Sequence, residues 1–122
     1  MLREIEVLRQ MPGHPNIVRL IKAIESSKRL YIVMELCAEG DLSQFLSKRG
    51  GRLCEKDARY VIRHVLRGLC FMNDKCNLMH RDVKLENILV KRKGSGTQVR
   101  DFEFKLADMG LAKGSRGKDA IF

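Results

Sequence analysis

The stretch from residue 55 to residue 75 limits the fold more than any other part of this 122-residue chain. Ala58, Val61, Ile62, Val65, Leu66, Leu69 and Met72 recur there at spacings of three and four, the period that gathers side chains on one face of an α-helix. Glu55 and Asp57 lie where the free amides of a first turn carry partial positive charge, which marks the helix start. Such a helix needs cover for its apolar face, and within this chain part of that face is expected to go uncovered. Residues 16–25 and 29–36 are rich in Ile, Val, Leu and Tyr and are separated by Ser26, Ser27 and Lys28, the pattern of an antiparallel hairpin. Residues 88–90 and 104–107 read as short strands flanking a polar loop. Residues 2–11 place Leu2, Ile5 and Leu8 on one helical face and stop at Pro12, Gly13 and Pro15. Residues 41–48 read as a short helix with Leu42, Phe45 and Leu46 inward, closed by Gly50 and Gly51. The predicted order is helix, hairpin, two helices, hairpin, an α+β chain.

With 44% hydrophobic and 32% charged residues, one packed core is expected. There is no apolar run of about 18 residues and no leader pattern, so no membrane span is predicted and an intracellular, cytoplasmic protein fits best. Cys37, Cys54, Cys70 and Cys76 form no C-x-x-C pair and read as reduced, small hydrophobes. The formal charge of +9 raises the possibility of an anionic partner. Its densest run, Lys91-Arg92-Lys93, adjoins Gly94-Ser95-Gly96 as a solvated loop would, and with 6% aromatic residues a nucleic-acid binder is disfavoured.

The chemistry is concentrated between the long helix and the penultimate strand, in His80-Arg81-Asp82-Val83-Lys84-Leu85-Glu86-Asn87. So many distinct polar groups in so short a segment are hard to explain as packing. The segment resembles the catalytic loop of protein kinases, H-R-D-x-x-x-x-N, at every defined position, and Lys105-Leu106-Ala107-Asp108-Met109-Gly110 follows at a suitable distance. The resemblance implies a bilobal kinase fold, represented here by its middle, with residues 1–36 ending the first lobe and 37–122 starting the second. It implies that Asp82 accepts the hydrogen bond or proton of a substrate hydroxyl, and that Asn87 and Asp108 supply hard oxygen ligands to Mg²⁺ on the phosphates of ATP. Lys84 matches serine/threonine kinases, where an ammonium offsets charge on the transferring phosphoryl group, so the implied partner is a protein with a Ser or Thr acceptor. Met109 stands where the family more often has phenylalanine, a packing position that methionine can fill. Arg81 resembles the arginine that pairs with a phosphorylated activation loop.

The resemblance continues upstream. Arg3-Glu4-Ile5-Glu6-Val7-Leu8 is similar to the kinase C-helix, which makes Glu4 the partner of an active-site lysine. Tyr31 to Cys37 is similar to the strand entering the hinge, with Met34 as gatekeeper, main-chain groups of Glu35 and Cys37 facing adenine, Leu89 beneath the purine and Asp41 near the ribose. On this resemblance the side-chain identity of Glu35 carries little meaning. His80, Met109, Leu8 and Leu20 match a stack of contacts linking the lobes. The glycine-rich loop and strand-borne lysine of the family would precede Met1, and the A-P-E element would follow Phe122. The isolated chain is therefore expected to be poorly stable, with little phosphoryl transfer. Two readings follow: a serine/threonine kinase represented by a fragment, or a truncated non-catalytic module that binds nucleotide weakly or a partner.

Overall fold

The computed structural model describes residues 3–10, 12–76, 80 and 82–107, with the side chains of Arg3, Glu4, Val7, Leu8 and Cys76 left aside. Helix α1 (Arg3–Gln10) seats fully buried Ile5 against Leu20, Ala23, Leu30 and Ile32, the inner face of an antiparallel hairpin of β1 (Leu20–Glu25) and β2 (Leu30–Met34). Ser26 closes that hairpin: its amide donates to Arg29 O at 2.7 Å and its hydroxyl oxygen accepts from Arg29 N at 3.0 Å. Helix α2 (Leu42–Ser47) begins at a reciprocal cap, in which Gln44 N donates to Asp41 Oδ1 at 3.0 Å and Asp41 N donates to Gln44 Oε1 at 2.9 Å. It ends where Gly51, at a φ of +83°, turns back so that its amide reaches Leu46 O at 2.9 Å. Helix α3 (Glu55–Cys76) lies across a second antiparallel ribbon, β3 (Ile88–Arg92) with β4 (Phe102–Leu106), in register from Ile88 opposite Leu106 to Arg92 opposite Phe102. Among the described residues, no helix is long and apolar enough to cross a membrane.

The main core lies between α2, α3 and the second ribbon. Phe45 meets Phe102 and Phe104 edge to face, with ring centres 5.0 and 5.5 Å apart, and Val61, Met72, Val90 and Leu106 complete it.

The packing departs from the sequence pattern in two places. Residues 16–18 do not extend the first hairpin. They cross to the second ribbon, where Leu106 N donates to Asn16 O and Val18 N to Leu106 O, both at 2.8 Å, and Ile17 bridges Leu106 in parallel. Buried Asn16 adds a bond from Nδ2 to Phe104 O at 3.0 Å. The buried stripe of α3 also differs from the apolar one: Ile62 and Leu66 are 57% and 54% exposed, whereas His64 and Gly68 are buried. Gly68 is required by the crossing segment, since a β-carbon there would stand 2.6 Å from Asn16 O and 2.9 Å from Leu106 Cδ1. His64 satisfies its polarity by accepting Phe104 N at Nδ1 (3.2 Å), and burial, then the nearby cations Lys93 and Arg67, lower its pKa to about 4.

Candidate active site

Asp82, Lys84 and Asn87 are brought together by a 3-10 turn, Leu85–Asn87, that runs directly into β3. The turn is closed by Asn87 N donating to Lys84 O at 3.0 Å. Asn87 is completely buried, and its Nδ2 donates to Asp82 O at 2.7 Å and to Asp82 Oδ2 at 3.2 Å, which aims the Asp82 carboxylate. Its Oδ1 is buried without a partner among the described residues. A buried amide oxygen left bare costs about 1–3 kcal/mol, so an oxygen held this way is suited to a ligand the fold itself does not supply. Lys84 Nζ stands 3.5 Å from Asp82 Oδ2, with both side chains 46% exposed. A pair so wet contributes little to stability.

His80 is held by the backbone of its own loop and of the strand end. It is buried, its Nε2 meets Ala107 O at 2.8 Å, and its Nδ1 accepts Asp82 N at 3.2 Å. Those partners select the tautomer with the proton on Nε2. Ala107 N in turn donates to Asn87 O at 2.8 Å, so both backbone groups of the residue that precedes Asp108 in sequence are held by the same loop. Asp108, Met109, Gly110 and Arg81 lie outside the described residues, as do the side chains of Glu4 and Leu8.

A second group forms where β2 leaves the first hairpin. Val18, Cys37 and Ala107 make a small buried cluster, against which Met34 and Leu89 pack half-buried. Desolvation raises the Cys37 thiol pKa, as expected of a packing cysteine. Backbone bonds here run from Glu35 N to Arg19 O at 2.9 Å and from Gly40 N to Cys37 O at 3.2 Å, leaving Glu35 O and Cys37 N without a backbone partner among the described residues. Asp41 caps α2 and also bridges Leu89, so the two are brought together at this edge of the ribbon.

Residues 1–120 match the family model for the protein kinase domain. The chain belongs to the protein kinase family. It is 38% identical over 106 residues to a CDPK-related protein kinase of Daucus carota, covering 87% of this chain and 17% of that one. It is 32% identical over 120 residues to serine/threonine-protein kinase 33 of Bos taurus, covering 98% and 24%. An Aurora kinase of Encephalitozoon cuniculi (strain GB-M1) is 38% identical over 110 residues, covering 90% and 37%. Among solved structures, Rad53 1-466 in complex with AMP-PNP superposes with a TM-score of 0.75 at 34% identity, over 89% of this chain and 27% of that chain. This kinase chain thus spans between 17% and 37% of the length of these curated relatives.

Sequence reasoning missed four buried positions that pack the core and ribbon around this site: Asn16, His64, Gly68 and Lys105. All are buried polar or glycine positions whose partners lie far away along the chain, as with Asn16 and Phe104, 88 residues apart. The only local signal was a histidine and a glycine interrupting the apolar period of α3.

Proposed function

We propose that this chain carries the phosphoryl-transfer centre of an ATP-dependent protein serine/threonine kinase, passing the γ-phosphoryl group of Mg-ATP to a Ser or Thr hydroxyl of a protein substrate. The observation that carries the reading is Asn87, whose amide nitrogen holds Asp82 while its buried oxygen is left bare. A neutral oxygen donor of this kind fits a hard divalent cation, so Asn87 Oδ1, with the Asp108 carboxylate that the family resemblance assigns, would hold Mg²⁺, whose charge would offset that of the nucleotide phosphates. Asp82 accepts the hydrogen bond of the attacking hydroxyl and orients its lone pair; it is itself oriented by Asn87 Nδ2. Lys84, free of any strong structural tie, offers its ammonium to the phosphoryl oxygens as their charge redistributes.

On the same reading, residues 1–36 end the first lobe and residues 37–122 start the second. Helix α1 is the C-helix carrying Glu4, Met34 is the gatekeeper, and Glu35 O and Cys37 N, which have no backbone partner among the described residues, are the groups available to adenine. Leu89 packs beneath the purine and Asp41 faces the ribose. The AMP-PNP bound by Rad53 supports the choice of nucleotide.

The test is transfer from radiolabelled ATP by the full-length protein, followed by phosphoamino-acid analysis. Phosphoserine or phosphothreonine is expected, and Asp82→Asn should lower transfer by about 10²–10⁴-fold with nucleotide binding retained. Nucleotide binding with no transfer would favour the non-catalytic module, and phosphotyrosine would overturn the acceptor class.

A further inference from the structure

We propose that the Glu35 carboxylate is a positioning group for nucleotide binding, fixing the spacing between the adenine-facing strand end and the β3–β4 ribbon that bears Leu89. The inference rests on the kinase reading above and gives a role to a side chain that the main-chain contacts of a hinge would leave without one.

Four contacts converge on Glu35. Its Oε1 accepts Arg19 N at 2.8 Å while its own amide donates to Arg19 O at 2.9 Å, so side chain and backbone grip one residue from both sides. Its Oε2 accepts Lys91 Nζ at 3.0 Å, and Lys105 Nζ stands 3.4 Å from Oε1. Leu89 faces Lys105 across the ribbon and Lys91 faces Glu103, so by strand alternation these four share the face turned away from Phe104 and Val90. Glu35 therefore spans from the exit of the first hairpin to both strands of the second, on the very face where Leu89 meets Met34 and Cys37. Lys105 is only 5% exposed, and its carboxylate partners among the described residues are Glu35 and, at 3.5 Å, Glu103. A buried cation of this kind draws its counter-charge to a fixed place, which an exposed surface pair does not do. Burial pushes the Glu35 carboxyl up, but the Arg19 amide, the Lys91 ammonium and Lys105 outweigh it and leave its pKa below the ordinary value, so all four contacts persist at neutral pH. A shift of the strand end carrying Glu35 O and Cys37 N would displace the adenine donors and acceptors relative to Leu89, without touching Asp82 or Asn87.

The experiment compares Glu35→Gln, Glu35→Asp and the double variant Glu35→Gln/Lys105→Met in the full-length protein, reading Kd for a fluorescent ATP analogue, KM for ATP, kcat and Tm. Glu35→Gln should raise Kd and KM by roughly five- to tenfold, the scale of one net hydrogen bond, with kcat changed less than about twofold. Glu35→Asp should recover part of the affinity. The double variant removes the buried cation that Glu35→Gln leaves with only Glu103 as a carboxylate partner among the described residues, so it should regain the wild-type Tm while KM stays raised; it supplies the reading even if Glu35→Gln alone folds poorly. Unchanged KM in Glu35→Gln, or recovery of Tm and KM together in the double variant, would overturn the proposal by making Glu35 purely structural. A wild-type protein that binds no ATP analogue would overturn the kinase reading and this inference with it.

Discussion

Replacing Asn87 separates its two functions. In Asn87→Ala, the Asp82 carbonyl loses its 2.7 Å donor and Asp82 Oδ2 its 3.2 Å donor, a loss of about 1–3 kcal/mol where the freed groups stay buried. The same substitution deletes the bare Oδ1, removing a penalty of similar size, about 1–3 kcal/mol. The two effects oppose each other, so the ligand-free protein should change by no more than about 2 kcal/mol. Ligand-dependent stability should change far more. Mg-nucleotide at a hundred times its Kd stabilises the wild type by about 2.7 kcal/mol, which for a kinase-sized domain is roughly 5–10 °C in Tm. Asn87→Ala should forfeit most of that shift. Asn87→Asp makes the complementary case: a second carboxylate about 3 Å from Asp82, with no donor between them, costs on the order of 2–5 kcal/mol, and a divalent cation relieves it. The assay is thermal unfolding of the full-length protein in EDTA, in Mg²⁺ and in Mg²⁺ with AMP-PNP. A full nucleotide shift in Asn87→Ala, or indifference of Asn87→Asp to Mg²⁺, would refute Asn87 as the metal-side residue.

Gly68→Ala should destabilise by about 1–3 kcal/mol in urea unfolding despite alanine's better helix propensity, because the new β-carbon meets the Asn16 carbonyl at 2.6 Å; a gain in stability would sink the close-approach argument. His64 is held below its unfolded pKa, so the unfolded chain binds more protons between pH 6.5 and about 4, and stability should be full above that window and fall as pH drops through it, by up to about 3 kcal/mol. His64→Gln should flatten that part of the pH profile, and an unchanged slope would assign it to other groups. Lys84→Ala should lower kcat by about 10²-fold with little change in Tm, since its pairing with Asp82 is half-exposed; a Tm loss matching the activity loss would make Lys84 structural.

Much of this organisation was legible in the sequence because it is local. The caps of α2, the stop at Gly51, the start of α3 and the pairing of both hairpins each depend on residues a few positions apart. What escaped was set by distant partners. The run through residues 16–25 looked like one strand because its composition is uniform, yet it divides at Arg19, where the backbone stops pairing with Leu106 and starts pairing with β2. Periodicity placed Ile62 and Leu66 on the inner face of α3, but the described residues that cover the helix lie over His64 and Gly68 instead. At the site, residue types singled out Asp82, Lys84 and Asn87, and the structure brings the three together. Nothing local foretold that Asn87 would be fully buried with one amide atom bonded and the other bare.

The catalytic-loop motif packs so much chemistry into so few residues because its members also build the fold. His80 spends both ring nitrogens on backbone, one on Ala107 and one on Asp82, and Asn87 spends its amide nitrogen on Asp82 and its carbonyl on Ala107. These bonds tie the loop ahead of β3 to the end of β4, the point at which the chain proceeds to Asp108. A loop tied only by its own turn would let Asp82 drift by ångströms, and misplacement of about 1 Å can cost on the order of a hundredfold in rate. Fixing it to β4 places it on the strand whose Phe104 and Leu106 are among the most deeply buried side chains of the core. The fold therefore lends its rigidity to Asp82 through two polar side chains and leaves Lys84 and the Asp82 carboxylate half in solvent, as the proposed transfer to a substrate hydroxyl requires.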